Sequence, residues 1–276
     1  MTFSIVARQG EAYGVAVASK FLAVGAVVPA ARTGVGAVAT QSYARVAYLE
    51  ELLGRLGTGE AAGEALAAAM ALDGGRETRQ VGVVGVGSAA TFTGSECNGW
   101  AGGVARDDGD TAYAIQGNIL IGPEVVEAME RAWHDASGEP LARRLLAALV
   151  AGDAAGGDSR GRQSAAVYAV EPGSGYDACG VLADLRVDDH PDPVSELTRL
   201  LAEWEMYFGR PEDVQPLVGA LADEVRRRLA AAGYADDDVA KALADWAGNA
   251  NYEARLSPDG IDRRVLEVLR AATTTT

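Results

Sequence analysis

What this chain of 276 residues has little of narrows its function first. It carries two histidines and two cysteines. His134 and His190 stand apart, and no CxxC or HExxH occurs, so no metal-ligand spacing is present. The acidic stretch "DLRVDDHPDP" lacks the glycine and closing glutamate of a calcium loop and reads as a solvated connector. The expectation is no metal and no cofactor. Cys97 and Cys179 are too few for a disulfide scaffold, and they read as buried thiols of a reducing compartment.

Cationic charge is also scarce, with 24 Lys and Arg against 39 Asp and Glu, a net charge of −15. That balance repels phosphate backbones and anionic lipid, so neither nucleic acid nor a membrane surface is expected as a partner. Long apolar runs are missing. Residues 13–31 come closest, but Ser19, Lys20, Gly25 and Pro29 interrupt them. The start has no basic segment followed by a long apolar stretch, which argues against a signal peptide and for a cytoplasmic chain. "GVVGVGSAA" has no third glycine at dinucleotide spacing, and no GxxxxGK[ST] is present.

What is present begins with 34 glycines and a hydrophobic fraction of 49%, ordinary for a globular domain rich in tight turns. "TFSIVAR" and "YGVAVASK" flank "QGEA", a hairpin pattern at the start of the chain. "GVGAVATQSY" is a third strand, reached through "FLAVGAVVPAAR". These runs are almost continuously apolar, as strands covered on both faces are. Between Tyr48 and Leu72 the period becomes helical, interrupted by "GTG", which gives two helices, the second capped by Thr58. Strands return at "RQVGVVGV", "AATFTG" and "AYAIQG". Helices follow at about 123–135, opened by Pro123, and 139–151. "SAAVYAVE" closes the series. Strands, two helices, strands, two helices and a strand suggest two sheets between helical layers. Asp192 and Pro193 then open a helix to about Tyr207. Three short helices follow from residue 211, and their core is expected at Leu243, Trp246 and Val265.

One nucleophile class needs no histidine. An N-terminal Thr or Ser can use its own α-amine as base, because that amine titrates at about 7.7–8.0. "Met-Thr" permits this at Thr2 once Met1 is removed. Lys20 ends the second strand, in register to approach the start of the first, where a cation would lower the amine's pKa and steady a developing oxyanion. "GGDSRGRQSAA" sets Asp158, Arg160, Arg162, Gln163 and Ser164 before a strand. Those side chains either satisfy the loop or orient a nucleophile and hold a carboxylate. "IQGNILIGPEVV" offers Gln116 and Asn118 as oxyanion donors or as a plain strand-to-helix turn.

Taken in order from residue 2 to about 200, "TFSIVAR", "GVAVASKFLAVGAVVPAAR", "GVGAVATQ", "RQVGVV", "QGNILIGPEVV", "GGDSRGRQSAA" and "ADLRVDDHPDP" resemble the DUF1028 family. That family is similar to the N-terminal nucleophile hydrolases. The resemblance implies an α+β fold, a four-layer αββα sandwich whose first mature residue attacks an amide carbonyl, with a small C-terminal helical domain. It makes Thr2 the nucleophile and Lys20 the cation beside it; by their own chemistry Asp158 and Asn118 are expected as the accompanying catalytic groups. By their chemistry Gln41, Gln116, Arg160 and Gln163 are the expected substrate contacts. Ser4 and Ser19 are the fallback nucleophiles if Met1 stays.

From 211 to 270, "ALADWAGNANYEARLSPDGIDRRVLEVL" resembles a peptidoglycan-binding domain. The expected domains are 1–205 and 206–276. The expected function is amide hydrolysis of a small-molecule substrate. The alternatives are a non-catalytic binding protein with a hydrolase-like fold that recognises peptidoglycan fragments or a small ligand, and a purely structural oligomer. A homo-oligomer is expected in either case, and the C-terminal helices read first as a structural or dimer-contact appendage.

Overall fold

The structure, a computed structural model, describes residues 2–273. Thr2–Gln9 (β1) and Ala12–Ser19 (β2) form an antiparallel hairpin that pairs Thr2 with Ser19. Gly10 makes its two-residue turn at φ 59°, a conformation that glycine adopts without steric cost. Pro29–Arg32 (β3) and Gly36–Ser42 (β4) follow, then Arg79–Gly85 (β5), Ser88–Thr93 (β6), Trp100–Asp107 (β7), Thr111–Leu120 (β8), Ser164–Val170 (β9) and Val181–Val187 (β10). All pair antiparallel, in a six-stranded sheet of order β10-β9-β2-β1-β8-β7 and a four-stranded sheet of order β3-β4-β5-β6.

The inner faces of the two sheets meet over small side chains. Val6, Val15, Val17, Ala37, Ala39, Val84, Ala112 and Ala114 form one buried cluster between them. Ala47–Gly57 (α1) and Ala62–Ala71 (α2) pack on β4, β5 and β6, burying Tyr48, Leu52, Leu53 and Leu66 with Val38, Val81 and Val83 of the outward parity. Glu124–Asp135 (α3) and Leu141–Ala154 (α4) pack on β1, β2, β8 and β9. The chain is thus α+β, with antiparallel sheets and a C-terminal helical region.

Two local expectations change. Thr58 closes α1, its hydroxyl donating to the Arg55 carbonyl at 2.7 Å, while α2 starts four residues later behind Ala61 without a side-chain cap. The glycines on either side of Thr58 let the chain turn before the second helix begins, so the hydroxyl serves the carbonyls behind it. Three strands, β3, β7 and β10, are additional to those expected from patterning.

Contacts divide the chain after Leu201 into two compact units. Pro193–Phe208 (α5) precedes Gly219–Ala231 (α6), Val239–Asn249 (α7) and Arg263–Ala272 (α8). The last three share a core of Val225, Leu229, Leu243, Trp246, Val265 and Leu269. Asp238 caps α7 by accepting from Ala240 and Lys241, and Asp262 caps α8 by accepting from Val265. The Arg255 side chain, wholly buried, donates to the carbonyls of Glu205, Met206 and Arg210 and to Asp262 Oδ2 at 2.8 Å. This arginine, the last letter of "NYEAR", closes the unit by tying the end of α5 to the start of α8.

Candidate functional site

Strand parity builds the site. Along each inner strand, alternate residues face the opposite sheet, and at one end these residues turn from apolar to polar. On β1, Thr2 and Ser4 share the parity of Val6. On β2, Ser19 shares that of Val17. On β4, Gln41 follows Ala37 and Ala39. On β5, Gln80 precedes Gly82 and Val84. On β8, Gln116 and Asn118 follow Ala112 and Ala114. Thr2 pairs with Ser19 on one side and Asn118 on the other, so the polar ends converge on the first strand.

Buried amides need partners, and these find them in one another. Ser4 Oγ donates to Gln41 Oε1 and accepts from Gln116 Nε2, both at 2.7 Å. Gln41 Nε2 donates to Gln80 Oε1 at 2.8 Å and to the Thr2 carbonyl at 3.2 Å. Asn118 Nδ2 donates to Gln80 Oε1 at 2.9 Å and reaches the Thr2 carbonyl at 3.5 Å. Gln80 Nε2 completes the set through the carbonyl of Gly117 at 2.7 Å and Thr93 Oγ1 at 2.9 Å. Gly82 leaves room for Gln116, because a Cβ there would lie 2.3 Å from its Oε1. The backbone of Thr2 is therefore gripped by two fixed amides, and its Oγ1 shares a hydrogen bond of 3.1 Å with Ser19 Oγ.

Thr2 and Gln41 also line a cleft of about 400 Å³. Phe21, Val24, Val27 and Val28 form its apolar wall and Tyr43 stands beside them, with Phe21 and Tyr43 more than half exposed. Ser164, itself fully buried, holds that wall: it donates to the Phe21 carbonyl and accepts from the Val24 N–H. Three non-glycine residues next to this end of the sheets, Ala23, Ser42 and Ile119, take left-handed φ of 53°, 66° and 50°. Such conformations cost about 1 kcal/mol or more each and collect where a chain is bent to aim its neighbours.

The charged lining is Arg79 and Arg160. Arg79 donates from Nε to Asp73 Oδ2 at 2.9 Å and from Nη1 to the Tyr43 carbonyl at 2.6 Å. Asp73 also accepts from Tyr48 Oη at 2.6 Å and from the Gly75 N–H at 2.9 Å. The Tyr48 hydroxyl, then Arg79, hold the Asp73 carboxyl well below its ordinary range. Burial, then the bond to Asp73, push the Tyr48 phenol up to about 12.

The remaining expected residues fall in different places. Asp158, nearly buried, accepts from the N–H of Lys20 at 2.8 Å and from both the N–H and the guanidinium of Arg160, at 2.8 and 3.3 Å. It therefore fixes the chain just after Ser19 and aims Arg160. The Lys20 ammonium is exposed and donates to the Arg162 carbonyl at 3.2 Å, so no contact joins it to Thr2. A residue one step past the strand's end is carried out of the pleat, and this one takes a loop carbonyl instead. Gln163 pairs through its backbone with Ser19 and His190. Gln116 is fully buried and engaged with Ser4 and Thr91, which gives it a bracing place in the network and keeps it out of the cleft lining. Arg162 pairs with Asp153 of α4 at 2.7 Å and lines a separate cavity of about 140 Å³.

Sequence reasoning missed Gln80 and Arg79. The signal for Gln80 was parity, since a Gln inside an apolar strand, in step with the inward positions, announces a buried amide in need of partners; Arg79, of the opposite parity, carried no such signal. Among the described residues no group of three or more His, Cys, Asp or Glu is arranged to hold a metal ion. No described helix is long and apolar enough to cross a membrane.

Comparison with known proteins gives two family matches. The model described as a family of unknown function, DUF1028, matches residues 2–197. The model described as "Putative peptidoglycan binding domain" matches residues 207–269. The crystal structure of a Silicibacter pomeroyi protein that carries the DUF1028 family model is similar at a TM-score of 0.65 and 31% identity, over 81% of this chain and 92% of that one. No curated protein matches the chain.

Proposed function

The chain belongs to the DUF1028 family, and on that premise we propose that it is an amidohydrolase of the N-terminal nucleophile type, with Thr2 as its nucleophile. The two sheets with a helix pair on each are then the αββα sandwich of that class, followed by a C-terminal domain from about residue 206. The observation that carries this reading is the place of Thr2: it lines the cleft, its hydroxyl 3.1 Å from that of Ser19 and its carbonyl held by Gln41 and Asn118.

Removal of Met1 frees the Thr2 α-amine, which takes the hydroxyl proton as Oγ1 attacks the amide carbonyl. The tetrahedral intermediate collapses with cleavage of the C–N bond, and the departing nitrogen takes the proton back. Water then attacks the Thr2 ester, which releases a carboxylic acid and restores the hydroxyl. Gln41, the one amide of the network that lines the cleft, commits its two N–H groups to the Thr2 carbonyl and to Gln80 and so fixes the nucleophile's backbone. Asn118 and Gln80 hold the strand, Asp158 positions Lys20 and Arg160, and Ser19 orients the nucleophile's hydroxyl. Thr2→Ala abolishes turnover while Thr2→Ser retains a measurable part of it. Equal activity in Thr2→Ala overturns the assignment.

The match over residues 207–269 favours a second role, recognition of peptidoglycan fragments by the C-terminal unit. It requires saturable muropeptide binding that survives Thr2→Ala and disappears on deletion of residues 211–276. Binding that persists after the deletion rules it out.

A further inference from the structure

The charge of the cleft runs against the charge of the chain. The protein carries 15 more acidic than basic residues, yet the charged side chains that line the Thr2 cleft are both arginines, Arg79 and Arg160. Each is held by a carboxylate, Asp73 and Asp158, that does not itself line the cleft. The pairing fixes both guanidiniums before any ligand arrives, and a fixed planar fork is the geometry that recognises carboxylates. Asp73 divides its acceptor capacity among Arg79, Tyr48 and Gly75, so the anion beside Arg79 is already shared. The rest of the wall is apolar, from Phe21 through Val24 to Val28, and the volume of about 400 Å³ is that of a small-molecule site.

We infer that the Thr2 cleft selects small amides that carry a carboxylate beside an apolar group, with Arg79 and Arg160 holding the carboxylate and Phe21, Val24 and Val28 covering the apolar part. This rests on the hydrolase reading for its use but not for its test. The chain's net charge of −15 works against anions in general, and the two arginines offset it locally at this cleft.

The test is a matched pair of probes, N-acetylphenylalanine and its carboxamide, titrated calorimetrically into the full-length Thr2→Ala protein, which binds without turning over. The carboxylate binds roughly tenfold or more tighter, the worth of one charge-assisted hydrogen bond, and the advantage shrinks as salt is added. In Arg79→Gln and in Arg160→Gln the preference falls to near unity. Should Arg79→Gln fail to fold, for it leaves Asp73 without its cation, Arg160→Gln decides, since that side chain is 45% exposed. Equal affinities, no saturable binding of either probe, or a preference that survives Arg160→Gln overturns the inference. A chain that shows the preference but hydrolyses no amide when Thr2 is intact sinks the nucleophile and leaves this binding claim standing. A hydrolase without the preference does the reverse.

Discussion

Gln80 is the residue on which the buried network turns, and replacing it with leucine isolates that role. Leucine keeps much of the volume and removes both ends of the amide. Asn118 Nδ2 then retains only its long bond of 3.5 Å to the Thr2 carbonyl, and the Gly117 carbonyl loses its 2.7 Å side-chain donor. Gln41 keeps its bond of 3.2 Å to the Thr2 carbonyl and is less affected. Two buried groups are thus left short of partners, at about 1–3 kcal/mol each, for a loss of about 2–6 kcal/mol. That is a large share of a typical domain stability of about 5–15 kcal/mol. Because the chain has two compact units, the loss is best read by hydrogen exchange in peptides from β1, β5 and β8. Their slowest amides should exchange roughly 30- to 20,000-fold faster while the α6–α8 peptides stay unchanged. Thr93→Val, which removes one of several acceptors, should cost about 0.5–1.5 kcal/mol. A Gln80→Leu protein with wild-type exchange in β1 and β8 refutes the view that this amide holds the strand of Thr2.

Further outcomes are as definite. Arg255→Met strands the wholly buried Asp262 carboxylate without its cation and should destabilise the C-terminal unit by about 3–5 kcal/mol, measured as lost protection in α8. Converting Asp262 to leucine as well should recover part of that loss, and a cost for Arg255→Met below about 1 kcal/mol contradicts the closing role of this pair. The Tyr48 phenol is raised in the fold from 10.0 to about 12, so its contribution to stability is complete below pH 10.0 and is lost as pH rises through about 12. The alkaline limb of the stability profile should flatten in Tyr48→Phe. The Asp73 carboxyl is depressed instead, so its contribution is present above its unfolded pKa of 3.8 and is lost as pH falls below that value. Asp73→Asn should therefore be less sensitive to acid, and an unchanged acid limb disproves the linkage.

The inner strands were legible in the sequence because burial on both faces leaves near-continuous apolar runs, as in β1, β2, β4 and β9. Three of the four edge strands were not. β3 opens with Pro29, β7 carries Gly102 and Gly103, and β10 places Asp184 and Arg186 among its apolar residues. An edge is paired on one side only and tolerates residues that an inner strand excludes, so the pattern blurs where the sheet ends. The site was legible to the same degree. The hairpin pattern brought the end of the second strand to Thr2 but pointed to Lys20 as its neighbour; the register pairs Thr2 with Ser19, and Lys20 turns to a loop carbonyl 142 residues away. Arg162 looked equivalent to Arg160, and only the position of Asp153 on α4 draws it to another cavity. The meeting of Gln41, Gln80 and Gln116 requires knowing which sheet faces which, and that is fixed by packing rather than by any local signal.

The central claim is that Thr2 becomes the first residue and then the acylated one. The direct measurement is intact mass and tandem fragmentation of the active protein after reaction with a β-lactone, an electrophile that leaves a stable ester on an N-terminal hydroxyl nucleophile. Chains that begin at Thr2 should carry one adduct, located on Thr2, with loss of activity in proportion to labelling. Full activity in chains that retain Met1, or inactivation with the adduct on another residue, contradicts it.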